Sequence, residues 1–163
     1  MTGLTKALCR SGRCSTYDSI MDVREATTQD AGAVAGLLDE LGYPSTPTEV
    51  RQRLEIWLDE PYSRVLLAAD DGRVVGSMSV HAIPHLERNG RWLRIESLVV
   101  TAGSRGGGAG RLLIKAAESL ARSWDCHAIE VTSSRQREGA HAFYRRLGFS
   151  DVCNRSGRFW KDL

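Results

Sequence analysis

The segment that follows residue 100 holds the residues whose types and spacing best suit chemistry. Four glycines lie between Arg105 and Gly110, and Arg105 and Arg111 add a positive charge at each edge. Glycine loses much conformational freedom on ordering, so such a run favours a loop whose backbone N–H groups approach a ligand closely. A helical pattern begins at Gly110 and adds the positive end of a helix dipole. The segment therefore predicts an anion site, above all for phosphate.

Two common nucleotide-binding patterns do not fit this loop. A P-loop needs lysine and then serine or threonine after its last glycine, whereas Arg111 and Leu112 follow Gly110. The dinucleotide pattern needs a glycine where Ala109 or Arg111 stands, depending on the register. A flexible loop without a ligand is the alternative, and the helix that follows at once argues against it.

The rest of the chain predicts an α/β domain around this loop. The predicted strands are residues 23–26, 64–69, 73–83, 92–100, 128–132, 149–153 and 158–161. The predicted helices are residues 28–41, with Thr28 as N-cap, residues 46–58, with a capping box of Thr46 and Glu49, and residues 110–124 and 138–147. This order implies a mixed, mostly antiparallel sheet of about seven strands, flanked on both faces by about four helices.

Composition and charge narrow the class of protein. A chain of 163 residues with 42% apolar and 26% charged residues fits one compact domain. No apolar run approaches the roughly 18 residues of a membrane-spanning helix. A net charge of +2 without a basic block argues against nucleic acid as the main partner. We expect neither a membrane nor a nucleic-acid partner, and the sequence leaves open a monomer or a homodimer.

The first 20 residues lack apolar periodicity and the apolar core of a signal peptide. We expect residues 1–20 to be a flexible extension before a domain of residues 21–163, although their Ser and Thr content also fits an organelle transit peptide. Neither the cysteine spacing nor the pair His81 and His85 predicts a metal site. We expect reduced thiols in the cytoplasm. The cysteines are Cys9, Cys14, Cys126 and Cys153.

Two motifs resemble signatures of the GNAT family of N-acetyltransferases. Residues 105–110 match its Arg/Gln-x-x-Gly-x-Gly/Ala signature. Residues 140–149, Ala-His-Ala-Phe-Tyr-Arg-Arg-Leu-Gly-Phe, resemble its second signature, a helix with a tyrosine near the thioester. Residues 95–100 look like the family's fourth strand. The resemblance runs from about residue 23 to the end of the chain. It implies the GNAT fold and direct transfer of the acetyl group of acetyl-CoA to a primary amine.

The resemblance also implies roles for individual residues. Tyr144 would protonate the departing coenzyme A thiolate or hydrogen-bond to its sulfur, and Glu96 would be the general base, directly or through water. A main-chain N–H near Leu98 or Val99 would polarise the thioester carbonyl. The pantetheine arm would pair with the backbone of Leu98, Val99 and Val100. The pyrophosphate would lie on Arg105, Gly106, Gly107, Gly108, Ala109, Gly110 and Arg111.

Several points stay open at this stage. Tyr144 also has the helical spacing of a core tyrosine, and the base in such enzymes can be another acid or a water chain. Ser133 and Ser134 stand where the family often has an asparagine that contacts the cofactor. No residue demands a covalent acetyl-enzyme, and we expect Cys126 to be packed rather than nucleophilic.

The acceptor is predicted only as a small-molecule or peptide amine. Residues 42–45 and 81–85 are expected to line its site. A non-catalytic acyl-CoA sensor is the rival class, and the retention of both Glu96 and Tyr144 argues against it. A longer acyl donor would differ only in the depth of the pocket beside the thioester.

Overall fold

The centre of the molecule is a five-stranded sheet whose strands lie in sequence order. A computed structural model describes residues 21–153, 155, 159 and 161–163. The strands are β1 (Met21–Glu25), β2 (Ser63–Asp70), β3 (Arg73–Pro84), β4 (Arg91–Val100) and β5 (Cys126–Val131). Strands β1 to β4 pair antiparallel, and β5 pairs parallel to β4. The predicted mixed, mostly antiparallel sheet is confirmed.

The predicted strand at residues 149–153 is wrong, so the described sheet has five strands instead of about seven. The side chain of Asp151 accepts a hydrogen bond from the backbone N–H of Cys153 at 3.0 Å. Such a local bond competes with strand pairing and closes a turn. Residues 158 and 160 of the other predicted tail strand, and all of residues 1–20, lie outside the described residues. The flexible extension stays a prediction.

Helices cover both faces of the sheet, as the order of elements predicted. They are α1 (Ala31–Leu41), α2 (Pro47–Asp59), α3 (Ala109–Ser123) and α4 (Glu138–Arg146). On one face, here called the α1–α2 face, Val34, Val50 and Leu54 pack with Val65 and Leu67 of β2. Burying such side chains removes apolar surface from water and fixes the helices on the sheet.

The opposite face, here called the α3–α4 face, holds the larger apolar cluster. Leu113 and Ile114 of α3 are fully buried there with Met78 of β3 and Leu93 of β4. Helix α4 contributes side chains that are only partly buried, among them Phe143. The long amphipathic helix α3 therefore fixes the loop before it relative to the sheet.

The two helix starts on the α1–α2 face use capping boxes. The box predicted at Thr46 and Glu49 is confirmed. The other begins at Thr27 rather than at the predicted Thr28, because the Asp30 carboxylate accepts a hydrogen bond from the Thr27 N–H. Hydrogen bonds from Arg24 are the largest cause that lowers the pKa of Asp30. A 3₁₀ turn at Thr28–Asp30 lies between this cap and α1.

Candidate active site

Strands β4 and β5 separate halfway along their length. Strand β5 pairs with residues 91–95 of β4, and the last pair joins Ile95 to Val131. Beyond that pair, β4 continues to pair with β3 on one edge. Within the described chain no strand pairs with its other edge. Such an edge offers N–H and C=O groups to an extended ligand. Leu98, Val99 and Val100, predicted to bind pantetheine, lie on this edge.

A β-bulge marks the point where the two strands separate. Ser79 pairs with Ser97 and Val80 pairs with Ile95, so Glu96 is the extra residue without a cross-strand partner. A bulge bends its strand and redirects the side chains beside it. Ile95 therefore belongs to the α3–α4 core, whereas Ser97 faces the other way and lies 2.7 Å, Oγ to Oγ, from Ser79.

Glu96 lies in an ion-pair network on the α1–α2 face. Its Oε1 accepts a hydrogen bond from Arg94 Nε at 2.5 Å. Arg94 also pairs with Glu130 Oε2 at 3.2 Å, and that oxygen accepts the indole N–H of Trp92 at 3.0 Å. One guanidinium thus serves two carboxylates, and the network carries a net negative charge that suits an ammonium substrate. Sequence alternation alone could have put Arg94 beside Glu96, because they stand two residues apart on one strand.

The glycine loop joins the open half of β4 to α3. A 3₁₀ turn (Ala102–Ser104) follows β4, and the loop is exposed as far as Gly108. Gly106 and Gly108 have φ angles of 85° and 99°, which disfavour residues with a side chain. No side chain caps α3, so the N–H groups of its first turn remain available to an anion. Ala109, Gly110 and Arg111 form that turn.

Gly110 has a packing reason to be glycine. A Cβ at this position would lie 3.1 Å from Cζ of Phe143, so the missing side chain lets α3 and α4 approach each other. At Gly108 a Cβ would meet no atom within 4 Å. The sequence interpretation attributed both glycines to the ligand alone. For Gly110 the structure adds helix packing, and its contact with the cofactor stays a prediction.

Glu40, which the sequence analysis missed, holds the start of the glycine loop. It lies at the end of α1 and accepts hydrogen bonds from Thr101 Oγ1 at 2.5 Å and from the Ala102 N–H at 2.9 Å. Arg105 lies 3.9 Å from the same carboxylate and donates from Nε to the Val100 carbonyl at 3.1 Å. The hydrogen bond from Thr101, followed by that from Ala102, lowers the pKa of Glu40.

No sequence signal pointed to Glu40, because about 60 residues separate it from its partners and no motif links them. The same helix end also meets α4. Arg137, which precedes α4, donates a hydrogen bond from its guanidinium to the Leu41 carbonyl at 2.9 Å. The end of α1 therefore contacts both the loop predicted for pyrophosphate and the start of the helix that carries Tyr144.

Tyr144 is half-buried on the α3–α4 face. Its ring contacts Phe143 and Phe149 edge-on, with ring centroids 5.3 and 5.5 Å away. Burial raises the pKa of its phenol, and the charge of Arg137 partly offsets this rise. A phenol with a raised pKa stays protonated at neutral pH, as a proton donor must. Within the described residues its hydroxyl has no hydrogen-bond partner and is available to a ligand.

The two predicted catalytic residues lie on opposite faces of the sheet. Tyr144 packs on the α3–α4 face, and Glu96 joins its network on the α1–α2 face. The opening between β4 and β5 connects these faces where β4 bulges. An acyl donor that lies in this opening would have a proton acceptor on one side and a proton donor on the other.

Comparison with known proteins gives the class. The sequence matches the acetyltransferase (GNAT) family model over residues 31–149. It is 33% identical over 132 residues to the aminoalkylphosphonate N-acetyltransferase of Salmonella typhimurium, covering 80% of this chain and 85% of that protein. It is 36% identical over 88 residues to the glucosamine 6-phosphate N-acetyltransferase of Trypanosoma brucei brucei, covering 53% and 58% of the two chains.

A solved structure agrees in fold. The aminoglycoside N-acetyltransferase AAC(6')-Iy, in complex with CoA, has a TM-score of 0.78 at 17% identity and covers 90% of this chain and 97% of its own. The chain belongs to the GNAT family of acetyltransferases. It is an acetyl-CoA-dependent N-acetyltransferase, which confirms the enzyme class that the two motifs predicted.

Other predictions concern residues away from the opening between β4 and β5. Cys126 is half-buried and Cys153 exposed, both as free thiols, whereas Cys9 and Cys14 lie outside the described residues. Burial raises the pKa of the Cys126 thiol, which disfavours the nucleophilic thiolate. Among the helices of the described chain, none has the length and apolar character to cross a membrane.

Proposed function

We propose that this N-acetyltransferase binds acetyl-CoA between β4 and β5 and acetylates a small primary amine that enters from the α1–α2 face. One observation carries the proposal most directly. The unpaired half of β4 runs into the glycine loop and then into the uncapped N-terminus of α3. An extended arm that ends in a pyrophosphate would match this succession of a strand edge and an anion site.

The reaction would use groups on both faces of the sheet. A neutral amine attacks the thioester carbonyl from the α1–α2 face, after it has lost a proton. A main-chain N–H of β4 near Leu98 or Val99 would stabilise the resulting oxyanion. Collapse of the tetrahedral intermediate breaks the carbon–sulfur bond, Tyr144 gives its proton to the departing thiolate, and the second proton that the nitrogen loses restores the phenol. The products are the amide, coenzyme A and the proton that came from the ammonium.

For the acceptor, we propose a small primary amine rather than a protein. The two curated relatives are named for an aminoalkylphosphonate and for glucosamine 6-phosphate. Both substrates are small primary amines that carry a phosphorus oxyanion. The net negative network around Arg94 would attract the ammonium group of such a molecule.

A panel of amines tests this function. Thiol release from acetyl-CoA is followed with 2-aminoethylphosphonate, glucosamine 6-phosphate, glucosamine, spermidine, free amino acids and a peptide N-terminus. We expect one of the small amines to be acetylated, with the amide confirmed by mass spectrometry. Turnover of the peptide alone would overturn the small-molecule acceptor. Tight binding of acetyl-CoA by calorimetry without turnover of any amine would favour the sensor instead.

Glu40→Ala is expected to weaken acetyl-CoA binding without a matching loss of turnover. The variant removes the acceptor that holds Thr101 and Ala102, so the loop must be ordered anew when the ligand binds. We expect the KM for acetyl-CoA to rise roughly three- to tenfold, the order of one hydrogen bond, with kcat at saturation nearly unchanged. Glu40→Gln, which keeps an acceptor oxygen, should restore part of the affinity. Equal KM values in wild type and Glu40→Ala would contradict this positioning role.

A further inference from the structure

A row of polar side chains crosses four strands on the α1–α2 face beside the bulge. Ser63 of β2 pairs with His81 of β3, His81 pairs with Arg94 of β4, and Arg94 pairs with Glu130 of β5. Ser63 is only 3% exposed, yet it is polar. A buried hydroxyl lowers stability unless it is paired, so Ser63 depends on its contact with His81.

The imidazole in this row is held at one nitrogen. His81 Nδ1 lies 2.8 Å from Ser63 Oγ, and the ring is half-buried. When Nδ1–H donates to Ser63, the lone pair of Nε2 remains available to accept a proton. Glu96, by contrast, already accepts a hydrogen bond from Arg94 at 2.5 Å.

We propose that His81 is the group that takes the proton from the acceptor ammonium, with Ser63 as the residue that positions its ring. This inference rests on the proposed function. The next polar pair on this face, Ser79 with Ser97, lies at the bulge, where Ser79 is two residues from His81 on β3 and Ser97 follows Glu96 on β4. Two residues along a strand span about 7 Å between Cα atoms, and ordered water between the side chains would relay the proton over this gap.

The proton balance is simple. The ammonium gives one proton, through the water, to Nε2 of His81 and becomes a neutral amine. The nitrogen then attacks the thioester, and the imidazolium later releases the proton to solvent. The charged groups of the row and its neighbour are Arg94, Glu130 and Glu96, whose sum is one negative charge. Protonation of His81 would bring the summed charge of these groups to zero.

His81→Asn tests the proposal with the amine that the wild type acetylates fastest in the panel. The asparagine side chain keeps a donor for Ser63 but has no proton acceptor in the place of Nε2. We expect kcat/KM for the amine at pH 7 to fall about 10²-fold or more, the usual range for a lost general base. The ratio of wild type to variant should shrink as the pH rises, because the amine is then neutral without help. The KM for acetyl-CoA should not change.

Two probes separate proton transfer from a structural role. Hydroxylamine is already neutral at pH 7, so wild type and His81→Asn should acetylate it at similar rates. Ser63→Ala should shift the acid limb of the pH–rate profile and lower the rate less than His81→Asn. His127→Asn, an exposed histidine at the start of β5, is the control and should leave both profiles unchanged.

The outcomes are distinct. A wild type without any amine turnover defeats the proposed function. A working wild type, with His81→Asn equally impaired at all pH values and with hydroxylamine, overturns the role of His81 alone. If Glu96→Gln shows the loss at pH 7 and the recovery at high pH while His81→Asn does not, Glu96 is the base.

Discussion

Tyr144→Phe is expected to lower turnover about 10²- to 10⁴-fold, the range for loss of a general acid, while acetyl-CoA still binds. The phenolic hydroxyl is the only group that the substitution removes, and the edge-on ring contacts to Phe143 and Phe149 survive. Because burial raises the pKa of Tyr144, the wild-type phenol stays protonated across the neutral range. Steady-state kinetics with the best amine and calorimetry of acetyl-CoA binding measure the two effects separately.

The matched control is Tyr62→Phe. Tyr62 precedes β2 and packs its ring edge-on against Trp124, so it also loses a hydroxyl from an aromatic contact. We expect its kcat to equal that of the wild type. A Tyr144→Phe variant with wild-type turnover would reduce the hydroxyl to a structural group. Equal losses in both tyrosine variants would point to stability rather than to proton transfer.

Gly108→Val is expected to weaken acetyl-CoA binding by at least about tenfold, the equivalent of about 1.4 kcal/mol or one charge-assisted hydrogen bond. The φ angle of Gly108 is 99°, a conformation that a β-branched residue avoids. The loop must therefore rearrange at the start of α3, where no side chain caps the N–H groups of the first turn. Among the described residues, no atom beyond the neighbouring positions lies within 4 Å of the added Cβ position, so we expect the domain to fold with about 1–3 kcal/mol of local strain.

Gly103→Val serves as the control for Gly108→Val. Gly103 lies in the preceding 3₁₀ turn, its φ is not positive, and a Cβ there also meets no atom within 4 Å. We expect near-normal affinity by calorimetry and a normal melting curve. If Gly108→Val folds and binds acetyl-CoA as the wild type does, the pyrophosphate site lies elsewhere. Equal loss of affinity in both variants would mean that the loop tolerates no side chain for reasons other than its φ angle.

Much of the architecture could be predicted from local signals. The capping box at Thr46 and the helical pattern that begins at Gly110 are short-range patterns, and each gave an element close to its observed bounds. The strand predicted at residues 149–153 is absent because five residues carry too little periodicity to outweigh one side-chain hydrogen bond of Asp151. The capping residue is Thr27 rather than the predicted Thr28, because two neighbouring threonines both fit a cap and Asp30 pairs with Thr27.

By itself, the sequence determined the class of enzyme, the glycine loop before α3 and the helix that carries Tyr144, because these depend on motifs of about ten contiguous residues. Only the tertiary structure decided how distant segments meet. Strand register created the bulge at Glu96, the opening beside Leu98 and the polar row that contains His81. The end of α1 brought Glu40 to the loop from about 60 residues away. Contacts of this kind depend on how strands pair and helices pack, and no local pattern of residue types encodes them.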